Sequence, residues 1–142
     1  MAPRSGDHRI ADGDSLALFL PLVLGERLPE PCRRALVAGL KEGGRFSTAH
    51  GLATESVQSS YYEADGYWRG PIWAPPTLLL VEALARIGEK ETAREIARRF
   101  CDVVATSGPA ENFDAQSGRG LRDPAYTWTA SVFVILASQY AR

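Results

Sequence analysis

The sequence is short of several things, and each shortage removes a class of function. There are 2 cysteines in 142 residues, Cys32 and Cys101. They are far apart and form neither a metal knuckle nor a redox pair, so two buried thiols in helical stretches are predicted. The 2 histidines, His8 and His50, have no ligand-like neighbours, and no metal site is predicted. Charge of one sign is lacking too. Sixteen Lys and Arg face 17 Asp and Glu, and the net charge of −1 gives no electrostatic case for nucleic acid or an anionic membrane. No apolar run approaches the length that spans a bilayer. Met1 to Asp14 is polar, with Pro3, Gly6 and Gly13 where a signal peptide would be apolar, so a cytoplasmic location is predicted. What remains is the composition of a globular protein, 45% hydrophobic and 23% charged, long enough for one domain with a sizeable core.

Residues 1–13 read as a flexible arm and 14–142 as the folded portion. Asp14 or Ser15 can cap a helix through Leu16, Phe19, Leu22 and Leu24, apolar nearly all round and therefore predicted to be buried, with Gly25 as its stop. Pro29 and Pro31 introduce a second helix with Cys32, Leu36 and Leu40 on one face, ended by Gly43-Gly44. From Arg45 to Pro71 no period of 3.6 or 2.0 is sustained. Phe46, Tyr61, Tyr62, Tyr67 and Trp68 make that stretch too rich in rings for a solvated linker, so an ordered, functional loop is predicted. Pro75-Pro76 opens a third helix, ended by Gly88. A fourth is amphipathic, with Ala93, Ile96, Ala97, Phe100, Cys101 and Val104 on one stripe and Glu91, Arg94, Glu95, Arg98 and Arg99 opposite. Residues 107–123 are irregular again. Asp123 then reads as an N-cap with Pro124 at N1, opening a last helix through Trp128, Val132 and Leu136. The sum is an all-α chain of about five helices and two long functional loops, without convincing strand alternation. Broad apolar coverage on three helices suits a layered helical barrel.

Chemistry concentrates in the two loops. Tyr67-Trp68-Arg69-Gly70-Pro71-Ile72-Trp73 gathers two indoles, a phenol and a guanidinium around a Gly-Pro turn. Glu111-Asn112-Phe113-Asp114-Ala115 supplies a carboxylate pair, and Tyr126-Thr127-Trp128-Thr129-Ala130-Ser131 a third indole. Indole faces can stack on the apolar C–H faces of pyranose rings, and loop carboxylates on a rigid scaffold suit general acid–base work. Each residue also has a plainer reading. Glu111 could be a solvated loop glutamate, and Trp73 and Trp128 are expected to be partly structural. Arg69 could contact a sugar hydroxyl or hold a carboxylate ionised, or else form an ion pair with Glu63 or Asp65.

In this order, the three motifs YWRGPIW, ENFDA and YTWTAS resemble the C-terminal part of glycoside hydrolase family 63 and related glucosidases. Wider relatives include mannosylglycerate hydrolases, trehalases and glycogen-debranching glucosidase domains. The resemblance runs from about Ser15 to Tyr140 and implies part of an (α/α)6 barrel. It also implies an inverting, α-glucosidase-like hydrolase that uses neither metal nor cofactor and acts on an oligosaccharide or glycoside. By the same resemblance Glu111 is the general base. Tyr67, Trp68 and Arg69 line the sugar site, Trp73 and Asn112 are counted with them, and Trp128 stands near the base. An inverting enzyme needs a second carboxyl about 6.5–9.5 Å away. In these families it is an upstream Asp in an Asp-Asn-Ser-Pro-like context, which Asp7, Asp12 and Asp14 do not match. The expectation is therefore roughly the last third or more of a catalytic domain, with little turnover on its own. It would be completed by a complementary N-terminal polypeptide or by self-association. The alternative is a non-catalytic helical module that binds saccharide or protein.

Overall fold

The computed structural model describes residues 14–141, so the arm 1–13, with Asp7, His8 and Asp12, lies outside the described residues. Leu16–Arg27 is the first element, and it is a 3-10 segment rather than an α-helix. Ser15 caps it, its hydroxyl oxygen accepting from the Ala17 N–H at 3.3 Å. With three residues per turn, Leu16, Phe19 and Leu22 fall into one buried row. Leu18 and Leu24 lie off that row and stay about half exposed. Burial on all sides, expected from the apolar composition, therefore does not occur, because a repeat of three presents a single narrow stripe. Gly25 breaks the segment as expected, at φ 57° and ψ −124°.

Helix α1 (Glu30–Leu40) buries Val37 and Leu40. Its first turn, Glu30 to Cys32, is uncovered, since α1 packs chiefly on the 3-10 segment. Cys32 is consequently exposed, against the expectation of a buried thiol. Cys101 is buried, and burial, helped by the charge of Asp102, pushes its thiol up to about 11.

Helix α2 (Ala74–Arg86) is the centre of the fold and packs on the 3-10 segment and on two later helices, α3 (Lys90–Ser107) and α4 (Thr127–Gln139). Its prolines fall in the first turn, where the missing N–H breaks no intrahelical bond. Helix α3 buries the expected stripe. Its outer face carries Glu91–Arg94, Glu95–Arg98, Glu95–Arg99 and Arg98–Asp102 pairs. The exposed pairs, those of Arg94 and Arg98, contribute about 0–1 kcal/mol each, whereas Arg99 is largely buried and also ties α3 to Ser47 and Thr48. Burying a side chain such as Phe100 contributes about 1.5–3 kcal/mol, so the stripe holds the helix and the exposed pairs decorate it.

Helix α4 begins at Thr127, with Tyr126 rather than Asp123 at the N-cap. Asp123 makes the side-chain contact of an N-cap, to the N–H two residues on, but here it closes a turn and no helix follows directly. Its carboxylate accepts from Ala125 N–H at 2.9 Å, and its carbonyl accepts from Glu111 N–H at 2.7 Å. The chain makes a turn there before the helix can begin. Each loop also holds a two-residue antiparallel ladder, β1 (Ser47–Thr48) with β2 (Gly51–Leu52) and β3 (Asn112–Phe113) with β4 (Gly120–Leu121). Strands this short leave no alternation to read in sequence. The all-α expectation otherwise stands, with four α-helices and one 3-10 segment among the described residues. Among those residues, no helix is long and apolar enough to cross a membrane.

Candidate active site

Ile72, the sixth of the seven residues of the aromatic motif, joins the two loops. Its N–H donates to Phe113 O at 2.7 Å, and Phe113 N–H donates back to Ile72 O at 3.1 Å. On its other side Ile72 bridges to Ala53. All three residues are fully buried. Through this crossing, motifs some forty residues apart in sequence become adjacent strips of one backbone lattice.

The aromatic side of the lattice is built from a closed loop. Glu63 N–H donates to Arg69 O at 2.7 Å, and Arg69 Nη2 lies 2.8 Å from Glu63 Oε2. The second of the two roles open to Arg69, an ion pair with Glu63, is thus observed, with both side chains about half exposed. Gly70 is required where the loop closes, since a Cβ there would stand 2.1 Å from the Glu63 carbonyl oxygen. Trp68 and Trp73 lie parallel at 6.2 Å, and Tyr67 meets Trp73 edge-on at 5.1 Å. Trp73 is buried, and its Nε1–H donates to Tyr67 O at 2.9 Å. Tyr67 is the open ring of the three, 55% exposed.

On the carboxylate side, Glu111 is half-buried. The Thr129 hydroxyl, in the first turn of α4, donates to Ala110 O at 2.6 Å and approaches Glu111 O at 3.5 Å. Asn112 is completely buried, and among the described residues neither its Oδ1 nor its Nδ2 has a hydrogen-bond partner. Trp128 is 57% exposed and meets Tyr126 edge-on at 5.8 Å. It is a surface ring, not the partly structural indole expected. Trp73 does fill the structural role.

Asp114 takes part in a second link between the loops, accepting from the Tyr62 hydroxyl at 3.3 Å. Burial would raise the Asp114 carboxyl. The Ser117 hydroxyl, the Gln116 N–H, the Tyr62 hydroxyl and the Ser117 N–H outweigh it and hold the group below the usual carboxylate range. Burial and the Asp114 charge together push the Tyr62 phenol up to about 12, and the Ala115 N–H pulls weakly the other way. A third link runs from Arg122 Nε to Asp65 Oδ1 at 2.9 Å.

One segment escaped the sequence reading. Ala53-Thr54-Glu55-Ser56 is entirely buried despite three polar residues. Thr54 Oγ1 donates to Pro71 O at 2.8 Å and accepts from Gly70 N–H at 3.2 Å, so it anchors the base of the aromatic motif. The Glu55 carboxylate accepts from Asp14 N–H at 2.6 Å. No periodicity marked these residues. Their one signal was a run of small and polar residues before a ring-rich loop. A cleft of ≈ 440 Å³ opens elsewhere, among Glu42, Glu89, Glu91, Glu95 and Arg99. It has no aromatic ring among its lining residues and lies apart from the motif residues, so the candidate site is better defined by the lattice than by that volume.

Residues 2–129 match the family described as the mannosylglycerate hydrolase MGH1-like glycoside hydrolase domain. Glucosylglycerate hydrolase of Mycolicibacterium hassiacum is 32% identical over 83% of this chain and 27% of its own length. Mannosylglycerate hydrolase MGH2 of Selaginella moellendorffii is 29% identical over 80% of this chain and 23% of its own. The chain thus spans about a quarter of these relatives. Among solved structures, the GH63 mannosylglycerate hydrolase of Thermus thermophilus in complex with glucose superposes with a TM-score of 0.74 at 24% identity. That superposition covers 87% of this chain and 31% of the other. The same enzyme with Tris and D-glycerate gives 0.72 at 25% identity, covering 87% and 30%. The helices described above therefore form part of a GH63-type (α/α) barrel, and the chain belongs to the MGH1-like glycoside hydrolase domain family.

Proposed function

We propose that this chain carries the general base and part of the sugar subsite of an inverting glycoside hydrolase whose substrate is a hexosyl glycerate. The observation that carries this reading is the double hydrogen bond between Ile72 and Phe113, which sets the ring-bearing motif against the Glu111 strip. Glu111 activates water, Tyr67 and Trp68 offer faces to the pyranose, and Trp128 adds an exposed ring beside the base. Trp73 acts from behind by fixing Trp68 and Tyr67. Arg69 reaches a sugar hydroxyl or the glycerate carboxylate by exchanging its exposed partner Glu63, a small cost for a half-solvated pair. The substrate class is taken from the relatives, which are hydrolases of mannosylglycerate and glucosylglycerate.

No carboxyl of this chain has the sequence setting of the family's acid, so the chain alone binds its glycoside and turns it over slowly at most. Losing proton transfer to the leaving group costs about 10²–10⁴ in rate. The test is sugar release from mannosylglycerate and glucosylglycerate by the purified chain, with calorimetric binding beside it and Glu111→Gln as control. Binding without release supports the reading. Rapid release unaffected by Glu111→Gln sinks the assignment of the base, and absence of binding sinks the subsite.

A further inference from the structure

Among the described residues, two non-glycine residues have a positive φ, Tyr67 at 60° and Arg122 at 62°. Side-chain-bearing residues rarely adopt this region, and where they do the surrounding structure must hold them there. One lies in each loop. Arg122 is held by a single residue of the aromatic loop, its Nε donating to Asp65 Oδ1 at 2.9 Å and its Nη2 to Asp65 O at 3.3 Å. The very next carbonyl in the chain, Asp123 O, accepts the Glu111 N–H at 2.7 Å. Aromatic loop, guanidinium and Glu111 backbone are therefore joined by consecutive contacts.

We propose that Arg122, pinned by Asp65, is a positioning residue for Glu111, setting the carboxylate's place relative to the Tyr67–Trp68 face. The proposal rests on the reading of Glu111 as the base. The Asp65–Arg122 pair is 55% and 44% exposed, so its contribution to global stability is small and its effect is local. Glycine would take φ +62° without strain, but it could not reach Asp65, so the strained arginine is the residue that does both jobs. The Tyr62–Asp114 link and the Ile72–Phe113 pair hold the loops together without it, so variants at 65 and 122 stay folded.

The experiment is amide hydrogen exchange by NMR on the full chain, comparing wild type with Asp65→Asn, Arg122→Gly and the reversed pair Asp65→Arg with Arg122→Asp. Each single change is expected to speed exchange at the Glu111 N–H about fivefold while amides of α3 around Phe100 stay unchanged. The reversed pair restores protection, and mannosylglycerate affinity falls and recovers in step. Unchanged exchange at Glu111 in both single variants overturns the proposal, and so does an equal acceleration throughout α3, which would mark a general loss of stability. Exchange needs no ligand, so the two readings fail separately. If sugar release is unaffected by Glu111→Gln, the base assignment falls while the exchange result still decides the role of Arg122.

Discussion

The aromatic loop, residues 45–73, and the carboxylate loop, residues 108–126, share a plan: each contains a short hairpin and leads to a helix start clamped by a threonine. Thr77 Oγ1 donates to Trp73 O at 2.6 Å and Thr129 Oγ1 to Ala110 O at 2.6 Å. They are made rigid by different means. The aromatic loop adds to its hydrogen bonds a set of packed rings and a glycine that lets backbone touch backbone. The carboxylate loop relies on polar contacts: Glu111 N–H to Asp123 O, Asp114 N–H to Arg119 O, and the Asp114 carboxylate on Ser117 and Gln116. Packing depends on volume, hydrogen bonding on donors and acceptors, so the two loops should fail under different substitutions.

Trp73→Ala strikes the packed loop hardest. Removing a buried indole costs about 3–5 kcal/mol, read from urea unfolding, and near-UV circular dichroism should lose the signal of the Trp68–Trp73 pair. Gly70→Ala follows at about 1–3 kcal/mol, because the new Cβ meets backbone that cannot swing aside. In the polar loop, Thr129→Val keeps the volume and leaves the buried Ala110 carbonyl unpaired. It should cost about 1–3 kcal/mol by thermal denaturation, and an unchanged midpoint would break the comparison. Next is the Tyr62–Asp114 link. The phenol's ionisation is raised in the folded state, so its stabilisation is present in full below pH 10.0 and lost as pH rises towards about 12. The Asp114 carboxyl is depressed, so its contribution is present above the usual carboxylate value and lost as pH falls through the lowered one. Asp114→Asn should move the tyrosinate absorbance titration of Tyr62 down towards the ordinary range. The smallest effect is expected from Arg69→Ala, about 0–1 kcal/mol on stability, since the pair with Glu63 is solvated. A clear loss of glycoside affinity with that small change would separate a sugar contact from a loop staple.

How far the sequence disclosed this follows from the same contrast. Helix α3 was legible because its buried stripe and charged face repeat every 3.6 residues, and α2 because its prolines and Gly88 mark its ends. The motifs were legible because rings cluster in them and because the three follow one another in an order that resembles a known family. Asp123 misled because its side chain makes the same contact, to the N–H two residues on, in a turn as at a helix start, and its carbonyl goes to Glu111, a partner no local pattern displays. The first segment misled because composition alone does not distinguish a repeat of three from one of 3.6. Thr54 and Glu55 were invisible for a related reason: their partners, Pro71, Gly70 and Asp14, are set by the tertiary path.

The unequal burial of the two cysteines has a practical corollary. At neutral pH the Cys101 thiol, shielded and with its ionisation displaced to about 11, stays almost wholly protonated, while Cys32 stands open on the first turn of α1. A maleimide dye would therefore mark one site on the native protein without mutagenesis. Late reaction of the second sulfur would then time the opening of the core from within, a clock supplied by the natural sequence.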